Sequence, residues 1–386
     1  MPPGRASARP PRRAGWVVGR AAGIPIVLGP GWLVASLLLV AVFGPSATAA
    51  IPGIGRAGGF LVAAGWAVLL YGSILLHELA HAFAGRARGV PVRQVNLTLV
   101  GGHTEMDDAG SPATSAFVAA AGPLANLVVA GAAAGLAALV PPWGAVAWML
   151  VSLAGANVVV TVFNLLPGLP MDGGWILEAL VWRLTGRREK GTVAAAWIGR
   201  VVGVGLVGAA VLLQVVRSDR SFVLQIAWAA LVGAMLWSSA GAFLRRVAAL
   251  RAVDGLDVAR LTRPAVVVPV RATLADALAG AVPVSGGGAA PDVVVADVDG
   301  RALGYLGPAA VAAVPAAARA STPLDAVLVP LPPGAVVDAG LVGQAAAQAI
   351  ARASHLSTVM VVRSADGRTV GLLRYADVVT ALRVPS

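Results

Sequence analysis

The sequence contains no cysteine. Disulfides, thiolate metal ligands and a cysteine nucleophile are therefore excluded. Charge is also scarce. Only 12% of the residues are charged and 58% are hydrophobic, whereas an ordinary soluble domain is about a quarter charged. Much of the chain must then face lipid or lie inside a membrane bundle. Lysine is nearly missing, Lys190 being the single one, so arginine carries the net charge of +11. Those arginines gather at the ends of apolar runs rather than in a patch interleaved with aromatics, which argues against nucleic acid as a partner. A cleavable signal peptide is not indicated either. The arginine- and proline-rich stretch Met1–Arg20 leads into a long apolar run with no small-residue cleavage site behind it.

A chain of 386 residues is long enough for more than one domain. Six apolar runs approach the roughly 20 residues needed to cross hydrocarbon. They are Ile24–Phe43, Gly58–Ala84, Ala113–Val140, Trp143–Leu166, Val193–Val216 and Phe222–Leu244. A seventh stretch, Gly173–Trp182, is too short to span and is expected inside the bundle or dipping in from one face. Arginines decide the orientation. One side receives Arg5, Arg9, Arg12, Arg13 and Arg20, then Arg86, Arg88 and Arg93. The same side receives Arg183, Arg187, Arg188 and Lys190, then Arg245, Arg246 and Arg251. The opposite loops hold Arg56, then nothing around Pro141-Pro142, then Arg217 and Arg220. The expectation is a multi-pass protein of the cell membrane with both termini cytoplasmic.

Between the second and third runs, Arg93–Met106 alternates weakly through Val95, Leu97 and Leu99 and reads as a short strand or hairpin ending in a Gly101-Gly102 turn. From about Val253 the long apolar runs stop. Short valine-rich strands at Ala265–Val270, Asp292–Asp297 and Thr358–Arg363 alternate with alanine-rich helices. Asp299-Gly300 and Asp366-Gly367 punctuate them as turns. The stretch from Val293 to Leu306 is echoed from Val359 to Leu373, so this soluble α/β part is read as two copies of one unit. The expected fold class is a polytopic α-helical membrane protein followed by a doubled α/β domain. Its parts are a tail over 1–22, a membrane domain over 23–247, and two copies over 253–320 and 321–386.

The strongest chemical signal is His77-Glu78-Leu79-Ala80-His81. Residues four apart lie on one face of a helix, one turn apart. Two imidazoles so placed can grip one zinc ion, and Glu78 beside them can take a proton from a metal-activated water. Three ionisable groups inside an apolar run also need a reason to be there. Zinc held by two histidines requires a third protein ligand and an open position. With cysteine absent, Asp172 is the best candidate, in the helix-breaking segment Asn164–Gly174 with its two prolines and three glycines. An N-cap role at the helix immediately after it is the alternative for Asp172, and it is compatible with ligation.

Taken together, His77–His81 and Asn164–Gly174 resemble the site-2 protease family of intramembrane metalloproteases. That family pairs an HExxH helix with a later Asn-x-x-Pro-x-x-Pro-x-Asp-Gly segment. The resemblance implies His77, His81 and Asp172 as zinc ligands, Glu78 as catalytic base, and Asn164 as a group that polarises the scissile carbonyl or stabilises its oxyanion. Gly23–Trp32, Gly101-Gly102 and Ala121–Asn126 resemble further family features. His103 and Glu105 depart from the pattern; they could reach the site behind its ligands, but the plainer expectation is that they are solvated loop residues. The doubled C-terminal part resembles tandem CBS modules, which often bind an adenine nucleotide. In the second copy Asp377 sits where such modules carry a ribose-binding aspartate, while the first copy has Ala310 there, and a dimerisation module with no ligand is the alternative. The resemblance implies zinc-dependent cleavage of a single-span membrane protein in or near the bilayer, control by nucleotide, and homodimerisation through the CBS pair. A CBS-gated transporter or channel is the competing reading, and a transporter has no need of Glu78 beside a two-histidine clamp.

Overall fold

The computed structural model describes residues 15–98, 101–217, 222–281 and 290–382. The chain divides into two compact units, Met1–Leu244 and Arg245–Ser386. Arg5, Arg9, Arg12, Arg13, Leu99 and Arg220, which entered the sequence reading, lie outside the described residues.

The first unit opens with strands β1 (Trp16–Ala21) and β2 (Ile24–Leu28). Helices α1 (Gly31–Ala50) and α2 (Gly55–Ala87) come after them, then strands β3 (Val92–Thr98) and β4 (Gly101–Met106). Next are α3 (Pro112–Ala137), α4 (Ala145–Asn164), α5 (Asp172–Thr185), α6 (Arg188–Arg217) and α7 (Phe222–Asp254). Among the described residues six helices are long and apolar enough to cross a membrane: α1, α2, α3, α4, α6 and α7. The short stretch after the fourth span becomes α5, whose 14 residues are too few to cross.

Two expectations are corrected. The first span does not begin at Ile24. Residues 24–28 are strand, because Pro25 lacks an N–H for a helical ladder and the β-branched neighbours suit a pleated surface. The helix starts only after Gly29-Pro30. Likewise Gly101-Gly102 does not end the hairpin but opens β4. These strands form one sheet in the order β1-β2-β3-β4, with β2 and β3 parallel and the other pairs antiparallel. Val95 pairs with Thr104 and Leu97 with Gly102, so these four share one face of the sheet. Val95 packs there with Ile24 and with Ala82, Leu75 and Leu79 of α2. The opposite face carries the pair Asn96 and His103, and Gln94 opposite Glu105.

The second unit begins in the last turns of α7 and continues with α8 (Val258–Leu261), β5 (Arg263–Pro269), α9 (Leu274–Gly280), β6 (Asp292–Ala296), β7 (Ala302–Leu306) and α10 (Pro308–Ala312). After these come β8 (Leu328–Pro330), β9 (Val336–Asp338), α11 (Gly343–Ser354), β10 (Val359–Arg363), β11 (Thr369–Arg374) and α12 (Tyr375–Leu382). Its seven strands run β8-β7-β6-β5-β11-β10-β9. The doubling is explicit in the topology. β5 pairs parallel with β6 and β6 antiparallel with β7, just as β9 pairs parallel with β10 and β10 antiparallel with β11. Gly300 and Gly367 turn the two equivalent hairpins at φ 77° and 82°, a backbone region that glycine enters without steric cost. The copies interlock. β8 comes after residue 320 yet pairs with β7, and Leu256 and Val258 pack into the core around Val337, Ile350 and Leu373 of the second copy.

Candidate metal centre

Helix α2 brings His77 and His81 to one stripe, one turn apart, both buried. α5 supplies Asp172 in its first turn. The three meet at a point. His77 Nε2 lies 3.2 Å from Asp172 Oδ2, His81 Nε2 lies 3.3 Å from Asp172 Oδ1, and the two Nε2 atoms are 3.1 Å apart. Tetrahedral zinc with bonds of about 2.0–2.1 Å holds its ligand atoms about 3.3 Å from one another. Asp172 is not the N-cap of α5. Met171 occupies that position with no side-chain cap bond, and the Asp172 carboxylate turns to the histidines instead.

The surroundings fix this geometry. His81 Nδ1 donates to the carbonyl of Val118 on α3 at 2.7 Å, which leaves Nε2 with its lone pair toward Asp172 and His77. His77 Nδ1 and Asp172 Oδ2 are buried without a hydrogen-bond partner among the described residues. Two imidazole nitrogens and two carboxylate oxygens facing one another at such distances are compatible only with a cation or protons among them. Zinc fits on these grounds: His, His and carboxylate is a ligand set known for catalytic sites, with a fourth position open.

Helix α3 crosses directly over the ligands. A Cβ at Gly122 would stand 2.3 Å from His81 Nε2 and 2.6 Å from His77 Nε2. Only glycine permits that approach. One turn on, Asn126 is buried with its Nδ2 unpaired among the described residues. Glu78, next to His77 on α2, reaches toward β4. Its Oε2 accepts a hydrogen bond from Thr104 Oγ1 at 2.7 Å. A Cβ at Gly102 would lie 2.4 Å from Glu78 Cγ, so β4 also needs glycine where it lies on the glutamate. Val118, Thr104 and the contact role of Gly122 were missed in the sequence. Thr104 and Val118 carry no signature of their own, and only the register of β4 and the packing of α3 reveal them.

The segment between α4 and α5 folds back on itself. Leu169 N donates to the carbonyl of Ala195 on α6, and Leu169 is fully buried against Ala195, Ala196 and Ala240. Gly173 lies against the carbonyl of Leu165. This packing aims the first turn of α5, and hence Asp172, at α2. Asn164 is the last residue of α4 and half-buried, and its side chain makes no hydrogen bond among the described residues. His103 and Glu105 do not reach the centre. They sit on the sheet face opposite Thr104, where the Asn96 amide lies 3.1 Å from His103 Nε2 and 3.2 Å from Glu105 Oε1. The expectation that they are solvated holds, but on a strand rather than a loop.

Comparison with known proteins matches residues 65–144 and 140–207 to the family model "Peptidase family M50". Residues 65–207 are thus similar to peptidase family M50. The matched stretch contains all three triad residues, Glu78, Asn164 and the Gly122 contact. Rip3 of Mycobacterium tuberculosis is 32% identical over 255 residues, covering 63% of this chain and 62% of that protein. The protein sll0528 of Synechocystis is 30% identical over 237 residues, 59% of each. The zinc metalloprotease MJ0392 of Methanocaldococcus jannaschii is 32% identical over 149 residues, 35% of this chain and 40% of that one. The chain thus spans about three fifths of the length of the first two relatives. Among solved structures, the site-2 protease from Methanocaldococcus jannaschii overlaps 58% of this chain and 92% of its own, at 23% identity and a TM-score of 0.39. A CBS domain of a bacterial CNNM/CorC family Mg2+ transporter in complex with ATP overlaps 35% of this chain and 92% of its own, at 16% identity and a TM-score of 0.26.

Proposed function

We propose that this protein is an intramembrane zinc metalloendopeptidase that hydrolyses a peptide bond in or near the span of a single-span membrane protein. The observation that carries the reading is the triad itself: two buried imidazole nitrogens 3.1 Å apart, each 3.2–3.3 Å from one oxygen of the Asp172 carboxylate, with Glu78 next to His77 in the chain. His77, His81 and Asp172 would hold zinc. When bound, zinc supplies Lewis acidity toward water and toward a peptide carbonyl. Glu78 takes the proton of the attacking water and returns it to the leaving amine, the ordinary work of a general base and acid. Thr104 holds one carboxylate oxygen of Glu78 and so limits its rotation. Asn164 donates its amide to the carbonyl oxygen as charge develops there. A helical substrate hides its carbonyls in backbone hydrogen bonds and must unwind first. β4, which pairs only with β3 among the described residues, offers a free edge beside Glu78 to receive the unwound strand.

The site lies deep along α2. His77 is ten residues from the helix's C-terminal end at Ala87, about 15 Å at 1.5 Å per residue. Arg86 and Arg88 mark that end, and by the positive-inside rule it faces the cytoplasm together with both termini.

The C-terminal unit is proposed to be a tandem CBS module that binds an adenine nucleotide and pairs with a second copy. The reading rests on the doubled topology and on Asp377 in the first turn of α12. Arg263 of β5 grips Asp377 with two hydrogen bonds of 2.9 and 3.2 Å, and this carboxylate holds the guanidinium above its ordinary pKa. A cleft of about 250 Å³ in the same unit is lined by Ala259, Thr262, Pro264, Ala339 and Val370.

The test is zinc content and proteolysis of the purified protein and its Glu78→Gln variant on a panel of single-span substrates in liposomes. One zinc per chain in both, with cleavage by the parent alone, supports the protease. Absence of zinc from both would refute it.

A further inference from the structure

The basic loop after the fourth span has an obvious topological meaning, yet one of its arginines is not free in solvent. Arg188 opens α6, and its side chain is one-third exposed. Its Nε donates to Glu178 Oε1 at 2.7 Å, and Thr192 Oγ1 donates to Glu178 Oε2 at 2.9 Å. Glu178 is wholly buried on α5. A second nitrogen of Arg188 donates to Asp108 Oδ2. The guanidinium also lies 5.3 Å over the ring of Trp182. Its neighbours Arg183 and Arg187 make no comparable buried contact among the described residues.

The partners of Arg188 belong to the two halves of the metal centre. Glu178 sits six residues, under two turns, beyond Asp172 on the same helix. Asp108 lies two residues past β4, the strand that holds Glu78 through Thr104, and three before Ser111, which caps α3. α3 in turn provides the Val118 carbonyl for His81 and the Gly122 backbone against both histidines. A buried carboxylate such as Glu178 is tolerated only when paired and fully hydrogen-bonded. A guanidinium, planar and with five donors, can bridge two carboxylates in fixed directions where an ammonium cannot.

We propose that Arg188 is a positioning residue. It clamps α5, the carrier of Asp172, to the β4–α3 junction, whose two arms hold Glu78 and His81, and so sets the third ligand against the base. The inference rests on the protease reading.

The two sides of the clamp make different predictions for the full-length protein in detergent. The double variant Glu178→Gln/Arg188→Met removes the buried pair without leaving a lone charge. It should bind zinc about 10- to 100-fold more weakly in competition with a chromophoric chelator, the usual cost of disturbing groups behind a ligand. Asp108→Asn cuts only the exposed arm. It should keep parent zinc affinity and lose severalfold in kcat on a labelled single-span polypeptide, with KM unchanged. Arg188→Lys should fall short of the parent in both assays, because it cannot bridge. Variants that melt at a lower temperature while keeping parent zinc affinity and kcat would overturn the clamp and leave a merely structural pair. A parent that binds no zinc would sink the protease reading and the clamp together, so the two failures are told apart.

Discussion

The two units of this chain are built inside out with respect to each other. Every buried polar or charged residue among those described, from Ser73 and His77 to Asn157 and Glu178, lies in the first unit. The second buries Leu274, Val294, Leu324, Met360, Leu372 and Leu373 almost completely and no polar side chain. Conversely, large apolar side chains stand exposed along the first unit, such as Leu37, Leu61, Val128 and Val201. The difference is one of solvent. In water, burial of apolar area drives assembly. In lipid that drive is absent, so close packing of small residues and polar contacts hold helices together. Gly59 of α2, which comes within contact of Thr48 on α1, is an instance of such packing. A cluster of four ionisable groups, His77, Glu78, His81 and Asp172, can sit in the first unit because lipid leaves helix interiors free for polar use. The second unit has no such interior to offer, and its one chemical candidate, Asp377, lies at the surface.

Substitutions that act on one unit alone can break or sharpen this contrast. The largest effect is expected at Glu78→Gln, which should lower proteolysis by roughly 10²–10⁴-fold, the range for loss of a general base, with zinc retained. Gly122→Ala comes next. Its Cβ would overlap His81 Nε2 at 2.3 Å, and zinc content measured by atomic absorption should drop well below one per chain while the helical circular dichroism stays. Leu372→Ala in the second unit should destabilise that unit by about 2–5 kcal/mol, seen as an earlier unfolding transition, with zinc content untouched. Loss of zinc there would break the contrast. The smallest effect belongs to Asp377→Ala. Its partner Arg263 is half exposed, and such pairs contribute about 0–1 kcal/mol, so the melting temperature should barely move. Calorimetric titration with ATP or AMP should nevertheless lose its signal, and an unchanged titration would remove Asp377 from the nucleotide site.

Much of this was legible in the residues. Six spans can be read from apolar length, the paired imidazoles from His-x-x-x-His on a helix, and the doubled second unit from its echoed hairpins. The limits of legibility have physical causes. The β1–β2 hairpin was hidden because Ile24 and Val27 belong to a continuous apolar run, and periodicity cannot separate a strand from a helix there. Arg200 interrupts the fifth span without announcing a partner. In the fold its guanidinium lies 4.9 Å over Trp197 and 4.5 Å over Trp237 of the next helix, a cation–π sandwich that only helix packing creates.

The sequence by itself determined which groups are available for chemistry: two histidines and a glutamate fixed by one helix turn, an aspartate after a broken helix, no thiol anywhere. Local geometry is short-ranged, so it can be read from spacing. Only the tertiary structure decided that Asp172 comes within 3.3 Å of both histidines across about 90 residues of chain, that Val118 orients His81, and that Gly122 must be glycine. Those facts depend on how α3 and α5 pack on α2. Packing is set by the summed contacts of many small and apolar residues, no one of which names its partner.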